Sequence, residues 1–200
     1  MASQKTAQSA TVAVRKVPKQ QRSKKMVETI LEAAARILDG GTGAFTTNHI
    51  AEKAGVSIGS LYQYFPGVEA IMAALIEKHV SDEREAAEET LATAGDKGAV
   101  MMRDLLVAFV NAHADAPRLT AQLHALAPGF GLQDHLVKAR DMQAANIAQA
   151  MGLPEAHVQM SVMAVEGVVL ATLASNPSRL KSDSFIDKLY AIALAPLYDG

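Results

Sequence analysis

Ser60, Tyr62, Gln63 and Tyr64 are hydrogen-bonding residues crowded into one short stretch. Serine and tyrosine hydroxyls are good donors to phosphate oxygens, and a glutamine amide can pair at two points with adenine. The stretch reads as a helix from about Ile58 to Tyr64. Ser57 can cap its start, and Pro66-Gly67 stops it. At ~1.5 Å per residue it is about 10 Å long, short enough to lie in the ~12 Å major groove of a duplex. Gly59 leaves room for close backbone approach. Ile58 cannot hydrogen-bond a base but can pack on a thymine methyl.

Other elements must hold that helix in place. A preceding short helix can be capped by Thr46 or Thr47, with Asn48 beside them. It shows Ile50, Ala51 and Ala54 on one face and ends at Gly55. Val56 fills the turn. Two short helices joined by a glycine-containing turn form a helix-turn-helix. Ile50, Ala51, Val56, Leu61 and Phe65 can bury against a first helix that starts near Gln20. That helix carries Val27, Ile30, Leu31, Ala34 and Leu38 on one face and stops at Gly40-Gly41-Thr42-Gly43. The bland alternative is an αα-hairpin that binds no nucleic acid.

Charge is distributed unevenly. Net charge is −2, yet residues 1–25 hold Lys5, Arg15, Lys16, Lys19, Arg22, Lys24 and Lys25 and no acid. The remainder holds 12 basic against 21 acidic residues. A basic arm on an acidic body points to a polyanion at one end only. Residues 1–18 lack a helical period and read as a flexible arm.

The stretch from about Lys25 to Leu75 closely resembles the TetR/AcrR family of bacterial transcriptional regulators. The likeness rests on Ile30-Leu-Glu-Ala-Ala34, Thr47, Ile50-Ala51, Ala54-Gly-Val-Ser57, Gly59-Ser-Leu-Tyr62, Tyr64-Phe-Pro66 and Glu69-Ala70. The resemblance implies homodimers of all-α subunits, in which the first three helices bind DNA and the fourth leads to a regulatory domain. A small molecule there would release a palindromic operator. It also implies that Thr46, Thr47, Asn48 and Ser57 lie near phosphate. Ile58, Gly59 and Ser60 would form the leading end of the reading helix. Tyr62 and Tyr64 would clasp the backbone, and Gln63 would read a base. Val68 stands where the family usually has a lysine, and Tyr64 replaces a commoner histidine. Lys24 and Lys25, with the basic residues back to Lys19, are expected to supply the missing phosphate anchor.

The rest of the chain reads as helices at about 68–91, 98–114, 117–126, 132–151, 155–175 and 183–198. The expectation is an all-α protein of about nine helices, divided into an arm (1–18), a DNA-binding domain (19–67) and a ligand-binding and dimerisation domain (68–200). Met160 to Ala174 is apolar on nearly every side, which suggests a subunit interface or an internal core helix. Met160, Ala164, Gly167, Ala171 and Ala174, with Phe185, Leu189, Ile192 and Ala193 of the last helix, form the expected dimer face. An effector pocket is expected from Phe109, His113, Gln122, Leu123, Leu126, Met142, Met163 and Glu166, with His124 a further polar group able to orient a ligand. Its effector, of unknown identity, would be apolar or amphipathic. With no cysteine, disulfides and thiolate metal sites are excluded. His113, His124 and His135 are 11 residues apart, which is not ligand spacing on one helix, so no metal and no cofactor is expected. Gly-rich phosphate loops and hydrolase motifs are absent, which argues against an enzyme. The expected setting is cytoplasmic, with operator DNA, an effector and a second copy as partners and no membrane. The alternative is an activator or a metal-responsive regulator of the same fold.

Overall fold

The computed structural model describes residues 21–41, 43–95 and 98–197. The arm at 1–18 and Lys19 lie outside the described residues. Among those described, nine α-helices and no strand occur: α1 (Gln21–Gly40), α2 (Thr47–Ala54), α3 (Ile58–Tyr64), α4 (Val68–Thr93), α5 (Ala99–Ala114), α6 (Pro117–Leu126), α7 (Gln133–Met151), α8 (Glu155–Ser175) and α9 (Asp183–Leu194). The expected all-α class holds. α9 stops short of the expected residue 198. A 3-10 turn, Ala195–Leu197, takes over there, and Pro196 has no N–H with which to continue the helical ladder.

Local chemistry sets the short helices. Thr46, rather than Thr47, caps α2, its hydroxyl accepting the His49 N–H at 3.4 Å. Gly55 ends α2 at φ +67°, and its N–H is spent on the Ala51 and Glu52 carbonyls. Ser57 caps α3, accepting the Ser60 N–H at 3.0 Å. Before α2 the chain turns at Gly43, φ +92°. A Cβ there would lie 2.6 Å from the His49 ring, so both backbone and space call for glycine. His49 in turn lies 3.1 Å from the Ala44 carbonyl through Nδ1 and fastens the loop.

α1 buries Ile30, Ala33, Ala34, Ile37 and Leu38. The stripe is thus turned slightly from the expected one: Val27 and Leu31 sit at its edge, half-buried. Its core takes in Ile50, Ala51, Leu61, Phe65, Ile71, Met72 and Ile76. It does not end with the helix-turn-helix. Leu123 of α6, Ala127 and Leu136 belong to the same cluster, and Phe45 meets Phe130 edge-on at 6.3 Å. The three N-terminal helices therefore sit on α4, α6 and the turn Ala127–Phe130 as on a platform.

A second core joins α5, α8 and α9 through Leu106, Val110, Val165, Val169, Phe185 and Leu189. This changes the expected dimer face. Phe185, Leu189 and Ala193 are buried within the subunit. α9 is amphipathic, and its apolar side is consumed by its own chain, leaving Asp187 and Lys188 outward. Ile192 is half-buried. On α8, by contrast, Met160, Ala164, Gly167, Ala171 and Ala174 are all exposed. α8 is long and apolar enough to cross a membrane by length and composition alone. Here its inner side packs on α7 and α9, and Ser161 donates to the Ala193 carbonyl at 2.7 Å.

Candidate functional site

The helix-turn-helix presents a compact polar surface. Thr46, Asn48, Ser57, Gly59, Tyr62 and Gln63 are exposed, as are Lys24 and Lys25 at the start of α1. Ile58 is 38% exposed, unusually open for a large aliphatic residue and in keeping with a contact made only on binding. The Tyr62 hydroxyl lies 3.2 Å from the Thr47 hydroxyl. That contact spans α2 and α3 and brings two hydroxyls to one point, as a shared phosphate clamp requires. Two residues are less available than the sequence implied. The Ser60 hydroxyl lies 2.8 Å from that of Ser57 within the cap. Tyr64 is half-buried against the N-terminal core.

Residues 30–75 match the family model described as bacterial regulatory proteins, tetR family. The chain thus carries a TetR-family helix-turn-helix segment over these residues. Its helix-turn-helix makes it a DNA-binding transcriptional regulator. Solved structures share the fold over nearly the whole chain. A TetR family regulator from Marinobacter aquaeolei VT8 is 17% identical, with 88% of this chain and 97% of that one covered and a TM-score of 0.65. A TetR-like regulator from Rhodococcus sp. RHA1 is 18% identical, covering 92% and 100%, with a TM-score of 0.64. The fatty acid degradation regulator FadR from Bacillus halodurans is 16% identical, covering 91% and 99%, with a TM-score of 0.64. No curated protein matches.

Beyond the helix-turn-helix lies a cavity of about 370 Å³, walled by α4, α5, α6, α7, α8 and α9. Phe109, Met142 and Glu166, expected in the pocket, line it. Four others do not. Leu123 and Leu126 pack against the N-terminal core, and Gln122 and Met163 face solvent. The α6 leucines are diverted because the helix-turn-helix platform claims that side of α6.

Polar groups missed in the sequence enter from α7 and α8. Arg140 reaches Glu166 at 3.7 Å, with both side chains mostly buried, and Ser161 joins them at the wall. Burial raises the Glu166 carboxyl above the usual carboxylate range. A lone arginine in an unremarkable helix carried no signal of this role.

The histidines are regrouped. His135 pairs at the surface with Glu77, at 2.9 Å. His113 and His124 meet His79 and Glu83 of α4, and His124 also lines the cavity, as expected of it. His113 is 1% exposed. Burial alone would raise the Glu83 carboxyl, but His113 and His79 more than reverse this and hold it far below its ordinary value. Burial opposes protonation of His113, yet Glu83 prevails and raises its pKa. His124, buried beside His79, is pushed down to about 4 and is neutral at neutral pH. His79 and Glu83 lie four apart on α4, an i, i+4 spacing legible in the sequence, but nothing there shows that α5 and α6 bring two more rings to it.

Proposed function

We propose that the protein is a repressor that binds a palindromic operator as a homodimer and is released by a small apolar or amphipathic effector held in the cavity. The observation that carries this reading is the sharing of α4 between cavity and platform. Val80, Glu83 and Ala87 line the cavity, while Ile71, Met72 and Ile76, about one to four turns earlier, pack under α1–α3. A ligand that displaces the second half of α4 tilts the helices seated on the first half. In a dimer such a tilt alters the distance between two reading helices that must lie one DNA turn apart. The cavity lining is mainly apolar, with Arg140, Ser161 and Glu166 gathered as polar anchors, which suits an amphipathic molecule. The exposed small-residue face of α8 supports dimerisation.

The test is titration of the full chain against a labelled duplex from its own upstream region and a scrambled duplex, at two salt concentrations. A preference of ~10³ or more is expected for the first. Equal, weak and strongly salt-dependent binding to both would reject operator recognition. A reporter placed behind the bound duplex gives the sign: expression should fall when the protein is supplied.

In the same assay, replacing Lys24 and Lys25 by alanine is expected to weaken binding to both duplexes alike. Each lost phosphate contact should flatten the slope of log affinity against log salt by ~0.9. An unchanged slope would remove both lysines from the interface.

A further inference from the structure

We infer that His79, Glu83, His113 and His124 form a binding site for a divalent first-row transition-metal ion of the zinc class. One donor atom from each of the four lies within 4.8 Å of all the others. Glu83 Oε1 is 2.9 Å from His79 Nε2 and 3.0 Å from His113 Nε2. Four ligands at about 2.0–2.1 Å from a tetrahedral ion stand about 3.3 Å apart, so the cluster is close to that size already.

The orientation of the donors is the stronger argument. His79 Nε2, Glu83 Oε1 and His124 Nε2 are buried and make no hydrogen bond among the described residues. The two short contacts of Glu83 bring the atoms near without aligning them as donor and acceptor. Buried polar atoms left in this way are costly, and three of them converge on one point. A cation there would satisfy all three at once. His113 is set up for the same task. Its Nδ1 donates to the Phe109 carbonyl at 2.9 Å, which fixes the ring and leaves Nε2 turned toward the cluster. A ligating imidazole is commonly held by such a bond from its other nitrogen. Three imidazoles and one carboxylate suit zinc, nickel or ferrous iron and disfavour calcium and magnesium, which prefer oxygen donors.

The site goes beyond effector binding, because its ligands come from three helices. Bound metal cross-links α4, α5 and α6. Leu123, next to His124, lies in the core that seats the DNA-binding helices.

The experiment uses the full chain without an affinity tag, stripped with chelator and titrated with Co²⁺ alone. One ion per chain is expected, with the intense visible bands of tetrahedral Co²⁺, which Zn²⁺ should abolish by competition. His124→Ala should weaken Co²⁺ binding at least tenfold. It removes a ring nitrogen that has no hydrogen-bond partner, so the helical fold should survive, as circular dichroism will show. Glu83→Gln keeps the side-chain volume and should also lower the affinity. His135→Ala, away from the cluster, should bind as the parent does. Absence of saturable Co²⁺ or Zn²⁺ binding would overturn the inference. So would binding that survives both His124→Ala and Glu83→Gln. None of these readouts depends on DNA, so the metal site and operator recognition fail or stand separately.

Discussion

Phe65→Ala is expected to lower the unfolding free energy by about 3–5 kcal/mol and to take operator binding with it. Phe65 is fully buried, with relative exposure 0%. It follows α3 directly and closes its last turn, with its N–H on the Leu61 carbonyl at 2.9 Å. Its ring fills the space among α1, α3 and α4 together with Ile30, Leu61 and Ile71, all in one cluster. Those neighbours are fixed by three separate helices and cannot all move into the gap, so the loss falls in the upper part of the usual range. α3 is only seven residues long. A helix so short has no stability of its own and exists because it is packed. Loosening Phe65 therefore releases the reading surface. Denaturant titration should show a lower midpoint at unchanged slope. Phe65→Leu should recover most of the loss. A shift below about 1 kcal/mol would mean the site collapses readily, contrary to the packing described.

Gly167→Trp is expected to give a folded monomer whose operator affinity falls to the non-specific level, a loss of about 10³-fold or more. Gly167 is exposed in the middle of α8, and a Cβ built there meets nothing within 4 Å. The subunit can hold an indole at that position, and glycine was in any case the poorer helix residue. A second copy packed face to face across Ala164, Gly167 and Ala171 cannot. Close approach of two helices depends on small side chains along the contact, and a symmetric interface meets every substitution twice. Sedimentation should show the change in mass, and circular dichroism an unchanged helix content. A variant that remains dimeric would move the interface elsewhere, and one that is monomeric yet binds operator fully would make dimerisation irrelevant to recognition.

Much of the fold was legible in residue order because it depends on short-range chemistry. The stops at Gly40, Gly55, Pro66-Gly67 and Gly152-Leu153-Pro154, the caps at Ser57 and Thr46, and the apolar period of α1 act within a few residues of themselves. The extent of α3 was legible for the same reason, since Ser57 and Pro66-Gly67 bound one short element. Exposure was harder to foresee. Tyr64 and Ser60 stand beside Tyr62 in sequence, yet one leans on the core and the other serves the cap.

What only the tertiary structure decided is how faces of different helices are shared out. Leu123 could line a cavity or support a neighbouring domain, and α6 packing on α1 settles it in favour of support. Phe185, Leu189 and Ala193 could face a partner subunit or their own core; α5 and α8 cover them first. His113, His124 and His135 share a regular spacing that means nothing, while His79 and Glu83, some thirty residues earlier, complete the cluster. Helical period tells which side of a helix is apolar, but not which neighbour will take it. That choice belongs to long-range packing, and with it the cavity, the exposed stripe of α8 and the four converging donors.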